Sequence, residues 1–307
     1  MRFTKMHGIG NDYIYIDTFT QNIDEKDRSK MVKEFSDRRF GIGGDGVIFI
    51  NPSELCDCEM EMYNSDGTRA EMCGNGIRCV GKYVYDYGIV DKKEISVVSA
   101  GKIKYLNMET EKESQNPYTG KTWGRRKDGS VVCTVRVDMG EPIFTPEEVP
   151  VNIITDDIKT VDIDGKSQKI CLMQPIQTDS REYKMTCVSM GNPHAVIFME
   201  DVEHFPVEVE GPKLEHHPCF PNRVNTEFVQ ILDRDNLQMR VWERGAGETL
   251  ACGTGACAVA AAAILNGFTN RTVTVHLRGG DLSITWDGDT NHIFMTGTAV
   301  TVFEGEI

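Results

Sequence analysis

The sequence predicts a mixed α/β protein built from two similar halves, each with several strands and one well-defined helix. The motif Cys-Gly-(Asn/Thr)-Gly occurs at Cys73 and again at Cys252, each time before a helix-like stretch. A Gly-Asn pair, at Asn11 and again at Asn192, comes just before a strand-like run. The Asn-to-Cys separations are nearly equal, at 62 and 60 positions. Two matched landmarks in register indicate an internal repeat.

The stretches after the two cysteines have helical patterns of matching length. In the first, four apolar residues share one helical face: Ile77, Val80, Val84 and Tyr87. In the second, Ala256 to Leu265 consists almost entirely of strong helix formers. Each stretch stops at a glycine, Gly88 or Gly267, 15 positions after its cysteine. Glycine is common just past a helix C-terminus, so both ends are consistent with helices.

Most of the remaining sequence is typical of strands. Five segments are rich in β-branched and aromatic residues and are separated by turn residues: Glu94–Lys104, Val131–Asp138, Thr272–Leu277, Leu282–Trp286 and Ile293–Phe303. Asp24 to Phe35 predicts a peripheral helix. The polar stretch from Lys112 to Ser130 predicts an exposed insertion near the junction of the halves. We therefore divide the chain into residues 1–130, which carry Cys73, and residues 131–297, which carry Cys252.

Composition and charge exclude several classes of function. Apolar residues make up 40% and charged residues 26%, as in ordinary soluble domains. The apolar stretch Ala256 to Leu265 is too short to span a bilayer, and the N-terminus has no apolar signal region. A cytoplasmic protein is expected. The net charge of −14 argues against nucleic acid or an anionic membrane as the main partner. A small zwitterionic ligand remains compatible with this charge.

The ten cysteines do not form a framework of short, regular spacings, so disulfides are the less favoured use. Cys79 and Cys257 lie deeper in the predicted helices, where packing explains them. Cys56 and Cys58 are too closely spaced for an ordinary zinc site. His216-His217-Pro-Cys219 lacks a partner cluster. No metal is expected at either place.

Cys73 and Cys252 are different because each stands where a helix begins. A helix N-terminus favours negative charge by roughly 0.3–1 kcal/mol and binds carboxylates. The predicted consequence is a lowered thiol pKa. If both sulfurs share one cavity, ionising one opposes ionising the other. The pair would then hold one base and one acid, as stereoinversion at a carbon requires.

Two glycine-rich segments resemble phosphate-binding loops, and we reject both. Gly41 to Gly46 matches G-x-G-x-x-G, but a strand-like run follows it where a dinucleotide site needs a helix. Gly76 to Lys82 approaches a P-loop, but Tyr83 replaces the required Ser/Thr and the segment lies inside the predicted helix. A G-x-S-x-G nucleophile elbow is also absent from the sequence.

The segment Trp242-Glu-Arg-Gly-Ala-Gly-Glu248 is another dense cluster just ahead of Cys252. Arg244 could bind a carboxylate through its guanidinium fork, and Glu243 could influence a thiol. A surface ion pair is the alternative for both. Four asparagines stand among turn residues, where a plain turn role is the alternative to ligand binding: Asn11, Asn64, Asn192 and Asn225.

Taken together, these motifs resemble the diaminopimelate epimerase family over nearly the whole chain. The matching pieces are Lys5-Met-His-Gly-Ile-Gly-Asn-Asp12, Gly41-Ile-Gly-Gly-Asp45, Asn64-Ser-Asp-Gly67, Cys73-Gly-Asn-Gly-Ile-Arg78, Ser189-Met-Gly-Asn-Pro-His194 and Glu243-Arg-Gly-Ala-Gly-Glu-Thr-Leu-Ala-Cys-Gly-Thr-Gly255. The last of these is highly specific.

The resemblance implies an epimerase, independent of pyridoxal phosphate and of any other cofactor, that interconverts LL- and meso-2,6-diaminoheptanedioate for lysine and peptidoglycan synthesis. It implies two pseudosymmetric domains, each a curved, mostly antiparallel sheet or barrel around a central helix. It also implies a homodimer and a last strand, about residues 298–307, that joins the first domain.

The resemblance also assigns roles to residues. Cys73 and Cys252 would be the acid and base, and His194 and Glu243 would tune the thiols. The substrate would be held by Asn11, Asn64, Gly74, Asn75, Asn192, Asn225, Glu243, Arg244, Gly253 and Thr254. One departure is Gly46, which stands where some relatives carry a substrate-contacting Gln. Another is Thr226-Glu227, where relatives tend to have smaller or apolar residues.

Two rival functions remain at this point. A proline-type racemase of the same fold is disfavoured by Cys-Gly-Asn-Gly at Cys73 and by asparagines suited to a second zwitterionic group. A redox or metal-binding protein would instead use its cysteines for a reversible disulfide or for stoichiometric zinc.

Overall fold

The computed structural model describes residues 1–70, 73–112, 126, 128–152, 159–163 and 165–307. Most of the predicted polar insertion, residues 113–125 and 127, lies outside the described residues. Within the described part of the chain, the helices are too short or too polar to cross a membrane. The chain separates into two compact units: unit 1 is Met1–Asp138 with Thr296–Ile307, and unit 2 is Met139–Met295.

The elements up to the end of the first unit are β1 (Arg2–Gly8), β2 (Asn11–Asp17), α1 (Glu25–Ser36), β3 (Gly46–Asn51), β4 (Cys58–Asn64), β5 (Arg69–Ala70), α2 (Gly74–Asp86), β6 (Glu94–Ser99), β7 (Lys102–Lys112) and β8 (Ser130–Gly140). Those that follow are β9 (Lys159–Ile163), β10 (Lys166–Ile170), β11 (Gln174–Gln177), β12 (Glu182–Ser189), β13 (Pro193–Phe198), α3 (Val207–Glu215), β14 (Asn225–Ile231), β15 (Asn236–Glu243), β16 (Gly247–Thr249), α4 (Gly253–Leu265), β17 (Thr272–Leu277), β18 (Gly280–Trp286), β19 (Ile293–Thr298) and β20 (Val300–Glu306).

In unit 1 the sheet is mostly antiparallel. β1 pairs antiparallel with β2 and with β20, β3 with β4, β4 with β5, and β6 with β7 and then β8. The pairs β2–β3 and β4–β6 are parallel. Each parallel pair needs a crossover, and α1 and α2 provide them. The last strand of the chain, β20, pairs with β1 in unit 1.

In unit 2 the same sequence of pairings recurs. β12 pairs antiparallel with β13, β14 with β15, β15 with β16, and β17 with β18. The pairs β13–β14 and β15–β17 are parallel, and α3 and α4 make the crossovers. The predicted fold class, two pseudosymmetric α/β halves with mostly antiparallel sheets, is confirmed.

The helices that follow the two cysteines form the interior of their units. Every residue of α2 is buried, and the helix packs against β1, β2 and β7. Lys82 of this helix is paired inside the unit: its Nζ donates to Asp86 Oδ2 and to the Val132 carbonyl, both at 2.7 Å. In α4 the run of alanines is fully buried against β12, β13, β14, β17 and β18. Small side chains allow this close approach from several sides.

Several details of the predicted elements were wrong. The segment Glu94–Lys104 is not one strand but β6 and the start of β7, because Ala100 and Gly101 adopt positive φ (48° and 75°) and reverse the chain. Ile293–Phe303 likewise divides into β19 and β20. Helix α3 was missed. The domain boundary after residue 130 stays a prediction.

Candidate functional site

Cys73 is the N-cap of α2 in unit 1. Its backbone is extended (φ −125°, ψ 113°), and its Sγ accepts a hydrogen bond from the Gly76 N–H at 3.3 Å. Its carbonyl accepts the first helical bond, from the Ile77 N–H. A Cβ on Gly76 would lie 2.8 Å from Ile48 Cδ1, the flexible end of an apolar side chain. The thiol thus lies at the positive end of a buried helix, with Gly74 and Asn75 in the first turn.

Asn11 contacts the Cys73 thiol directly. Ile9 and Gly10 have φ of 48° and 88° and form a tight two-residue turn between β1 and β2, which places Asn11 at the start of β2. The Cys73 thiol donates to Asn11 Oδ1 at 3.0 Å, and Asn11 Nδ2 donates to Asp45 Oδ2 at 2.7 Å. This first pair of predicted site residues is therefore in contact.

A charged cluster supports Asn11 from behind. Arg38 donates to Asp12 Oδ1 at 2.6 Å and to Asp45 Oδ1 at 2.8 Å. Lys5 Nζ lies 2.5 Å from Asp12 Oδ2. Although burial opposes it, the hydrogen bonds from Arg38 and Lys5 lower the pKa of Asp12. Arg38, which donates to both carboxylates, thus holds Asp45 against Asn11.

The other predicted residues of unit 1 differ in their surroundings. Asn75 is 2% exposed, whereas Asn64 is exposed at the end of β4 and its Nδ2 donates to Thr68 Oγ1 at 3.1 Å. Gly46 begins β3, and a Cβ there would lie 2.0 Å from the Tyr63 carbonyl oxygen. This chain therefore has no room for a side chain at position 46 without a backbone shift.

Cys252 is the N-cap of α4 in unit 2, with φ −125° and ψ 110°. These angles are within 3° of those at Cys73. The residue is 4% exposed, and its Sγ lies 3.6 Å from Thr254 Oγ1. A Cβ on Gly255 would lie 3.2 Å from Cys252 Sγ and 2.7 Å from Glu227 Oε1. The third residue of α4 must therefore be glycine if these groups are to keep their places.

A chain of polar contacts runs from Thr254 to a buried ion pair. Asn192, which follows Gly191 (φ 100°) in the turn before β13, donates from Nδ2 to Thr254 Oγ1 at 3.3 Å. Asn192 Oδ1 lies 3.0 Å from His194 Nε2. On the other side of the ring, His194 Nδ1 lies 2.7 Å from Glu227 Oε1, and both side chains are fully buried.

Two buried carboxyl groups influence the Cys252 thiol. Burial raises the pKa of Cys252 well above its usual value, and the Glu243 and Glu227 carboxyls raise it further, against the contacts with Thr254 and the Gly255 N–H. Burial likewise raises the pKa of Glu243, although hydrogen bonds with Thr249 and Cys252 oppose this. The predicted lowering of the thiol pKa by the helix was therefore wrong for Cys252, because burial and carboxylates outweigh the helix dipole.

The loop after Glu243 is held by three hydrogen bonds. Asn225 Nδ2 donates to the Pro193 carbonyl at 2.8 Å, and its Oδ1 accepts from the Arg244 N–H at 2.9 Å. Glu215 Oε1 accepts from the Gly245 N–H at 3.0 Å. The Arg244 guanidinium is exposed and donates to the Asn222 carbonyl at 2.9 Å. Asn225 thus fixes the backbone that carries Glu243 and Arg244.

The structure brings the predicted residues of unit 2 together more completely than those of unit 1. Asn192, His194, Thr254 and Cys252 form one chain of contacts, and Glu243 contacts Cys252. Sequence reasoning missed Glu227 as a functional candidate and missed the support from Asp45 and Glu215. A sequence signal existed only for Glu227, as a charged residue within a buried strand.

The motifs rejected from the sequence stay rejected. The loop Gly41–Asp45 leads into strand β3, and Gly76 to Lys82 lies within α2. Next to α3, His217 Nδ1 lies 3.0 Å from Cys219 Sγ, whereas His216 Nδ1 contacts the Pro212 carbonyl. Among the described residues, no three His, Cys, Asp or Glu side chains are grouped so that they could hold a metal ion.

Comparison with known proteins identifies the family. The family model for diaminopimelate epimerase matches residues 3–123 and 186–302. A diaminopimelate epimerase of Acetivibrio thermocellus is 52% identical over 307 residues, which cover 100% of this chain and 98% of that protein. A PhzF-family phenazine biosynthesis protein of Bacillus anthracis has a TM-score of 0.65 at 14% identity, covering 100% of this chain and 98% of that one. A hydroxyproline epimerase of Agrobacterium vitis has a TM-score of 0.64 at 13% identity, covering 99% and 91%. These two structures share the fold, and the full-length relative and the family model show that the chain belongs to the diaminopimelate epimerase family, a family of isomerases.

Proposed function

We propose that this protein interconverts LL- and meso-2,6-diaminoheptanedioate by a two-base mechanism in which Cys73 and Cys252 exchange the α-proton. The reaction needs neither pyridoxal phosphate nor a metal. It would supply precursors of lysine and peptidoglycan. The observation that carries the proposal is the matched N-cap position of the two cysteines, with nearly identical backbone angles in the two units.

The chemistry follows from one ionised and one neutral sulfur. The thiolate of one cysteine takes the α-proton and becomes a thiol, while the other thiol donates its proton to the opposite face of the carbanion and becomes a thiolate. The product has the inverted centre, and the two sulfurs have exchanged protonation states. The raised pKa of Cys252 favours that sulfur as the initial thiol.

The two helix N-termini suit the substrate as well as the sulfurs. The first N–H groups of a helix have no partner within it and bind carboxylates. The backbone donors at Gly74, Asn75, Gly253 and Thr254 would bind the carboxylate of the reacting centre. The rest of the substrate, including its distal end, would be held by Asn11, Asn64, Asn192, Asn225, Glu243 and Arg244. Of these, the guanidinium of Arg244 is exposed at a loop, where it can reach a ligand.

The test is epimerisation of LL-diaminopimelate in D₂O by the Cys73→Ala and Cys252→Ala variants. Each should lose at least about 10³-fold in turnover, within the range for removing a positioned acid or base. The matched controls are Cys79→Ala and Cys257→Ala, two buried cysteines in the same helices, which should keep most of their activity. Full turnover by either Cys73→Ala or Cys252→Ala would overturn the two-base role.

A substrate panel separates this proposal from a proline-type racemase. We expect turnover of diaminopimelate and none of proline or hydroxyproline, because the site has polar side chains for a second charged group. Preference for proline would contradict the proposal. The same assay after chelation and dialysis should keep full activity.

We also propose that the enzyme is a cytoplasmic homodimer, as the family resemblance implies. Multi-angle light scattering should give about twice the chain mass of 34.4 kDa. Fractionation of the native cells should recover the enzyme with the cytoplasm. A monomeric mass at micromolar concentration would refute the dimer.

A further inference from the structure

Glu227 is a buried carboxylate that the proposed reaction does not yet use. It lies on β14 with no exposed surface, next to the first turn of α4. Within the described residues, His194 is its one partner at ion-pair distance, and Oε2 has no hydrogen-bond partner there. A buried carboxylate without a compensating charge is strongly disfavoured. The charge of Glu227 therefore depends on His194.

The contact between them has the length of a charge-assisted hydrogen bond. His194 Nδ1 and Glu227 Oε1 are 2.7 Å apart, within the 2.7–2.9 Å range typical of a cationic N–H and a carboxylate. Neutral N–H···O bonds cluster near 2.9–3.0 Å. The short contact indicates that at least one of the two groups is ionised, and the second ring nitrogen decides whether the imidazole is.

The opposite nitrogen of the ring faces an acceptor as well. Asn192 Nδ2 is directed to Thr254 Oγ1, which leaves Asn192 Oδ1 facing His194 Nε2 at 3.0 Å. If Thr254 Oγ1 accepts from Asn192, its own hydrogen is available to the Cys252 sulfur 3.6 Å away. The Nε2 atom then needs a hydrogen to donate to Asn192. Both ring nitrogens carry one in this arrangement.

We infer that Glu227 is a positioning residue that holds His194 as a buried imidazolium, and that the Asn192–Thr254 chain directs a hydrogen-bond donor at Cys252. The ion pair is inferred from geometry alone. Its effect on turnover rests on the proposed function. When Cys252 gives its proton to the substrate carbanion, the resulting thiolate accepts from Thr254, which His194 orients through Asn192.

The titratable groups around this pair come from four elements. His194 stands on β13, Glu243 at the end of β15, and Cys252 at the start of α4. On β12, burial raises the pKa of the Cys187 thiol, and the charge of Glu227 contributes to the same increase. Among these groups only His194 can be cationic, so the positive charge of the set depends on the Glu227 pair.

The direct test is NMR of protein labelled with ¹³C and ¹⁵N in histidine, with the His194 signals assigned by their loss in His194→Gln. At pH 7.5 we expect an imidazolium in the wild type and in Glu210→Gln, and a neutral ring in Glu227→Gln. Glu210 is the matched control because it is a buried glutamate of the same unit, 3% exposed, bonded to Ser180 and Tyr183 instead. A neutral His194 in the wild type, or an imidazolium in Glu227→Gln, would overturn the inference. The wild-type spectrum alone tests the pair, whether or not the variant folds.

Kinetics provide the second readout. Glu227→Gln should lower kcat roughly 10- to 100-fold, as loss of a partner that orients an imidazole does, with KM within about twofold. The alkaline limb of the kcat/KM profile should move to lower pH, because an imidazolium without its carboxylate gives up its proton more readily. An unchanged pH profile of kcat/KM, together with a fall in KM, would contradict the positioning role of Glu227. If the wild type lacks diaminopimelate turnover but shows the imidazolium, the proposed function fails and the ion pair stands.

Discussion

The glycine at position 255 gives the sharpest test of the site's packing. In Gly255→Ala the new Cβ would lie 2.7 Å from Glu227 Oε1 and 3.2 Å from both Cys252 Sγ and Met239 Cε. Ordinary contact needs about 3.5 Å, so the carboxylate must retreat by roughly 0.8 Å. A shift of that size lengthens the 2.7 Å distance between Glu227 Oε1 and His194 Nδ1 to about 3.5 Å, beyond the range of a normal hydrogen bond.

Two effects on stability oppose each other in this variant. Alanine in place of glycine inside a helix gains roughly 0.8–1 kcal/mol. Overpacking costs about 1–3 kcal/mol, and loss of a charged hydrogen bond about 1.5–3 kcal/mol. The clash and the lost bond exceed the helix gain, so we expect a net loss of about 2–4 kcal/mol and a lower melting temperature. Activity should fall about 100-fold, the effect of misplacing a reacting group by about 1 Å.

The matched control is Gly76→Ala at the equivalent position of α2. There the new Cβ would meet Ile48 Cδ1 at 2.8 Å and Met60 Cε at 3.2 Å, both flexible ends of apolar side chains that can move aside. We expect a stability change within about 1 kcal/mol of zero, since the helix gain offsets part of the clash. Thermal unfolding and diaminopimelate turnover measure both variants. Full activity in Gly255→Ala would refute the packing argument.

Three further predictions concern charge and burial. Glu243→Gln should raise the melting temperature at pH 8 more than at pH 5, while it lowers activity. Burial raises the pKa of Glu243, so the neutral carboxyl is favoured in the folded protein, and the stability that it contributes at low pH is lost as the pH rises through the folded pKa. Arg28→Met should cost about 3–5 kcal/mol in urea unfolding, because the buried Glu61 carboxylate keeps only neutral donors and the largely exposed Arg69, 3.7 Å away. A cost under about 1 kcal/mol would count against this. Iodoacetamide at pH 8 should label the half-buried Cys133 before Cys79, because burial raises the pKa of Cys79 to about 11. Mass spectrometry of the early products measures the order, and earlier labelling of Cys79 would contradict the prediction.

The helices next to the cysteines could be predicted because local signals and burial agree there. α4 ends at Leu265 with Gly267 at φ 73°, and α2 ends at Asp86 with Gly88 at φ 70°. Both glycines adopt the left-handed conformation that follows many helices. The apolar face of α2 and the alanines of α4 already indicated burial.

Helix α3 was not predictable from its own residues, since Pro212 lies inside it and its apolar pattern is weak. The repeat, however, contains the missing signal. α1 connects the parallel strands β2 and β3, and the matching strands β13 and β14 need a crossover too. Aligning the two halves element by element would have placed a helix between residues 198 and 225.

The partners within the site were partly hidden for a different reason. The sequence identified Cys252, His194 and Glu243 by motif, but Glu227 contacts His194 through a parallel strand pair, 33 positions away. Such contacts depend on register, which a single sequence does not give. Parallel pairing sets His194 opposite Asn225, so Glu227 reaches the ring from two positions further along β14.

The two cysteines have the same backbone conformation but different electrostatic surroundings. Both are N-caps with almost the same φ and ψ, so the helix contributes similarly to each. Cys73 contacts the amide oxygen of Asn11 and the Gly76 N–H, whereas two buried carboxyl groups, Glu243 and Glu227, raise the pKa of Cys252. A helix N-terminus contributes at most about 2 kcal/mol, which burial next to carboxylates can exceed. The repeat therefore fixes where the sulfurs stand in each unit, and the residues that differ between the units decide how readily each sulfur ionises.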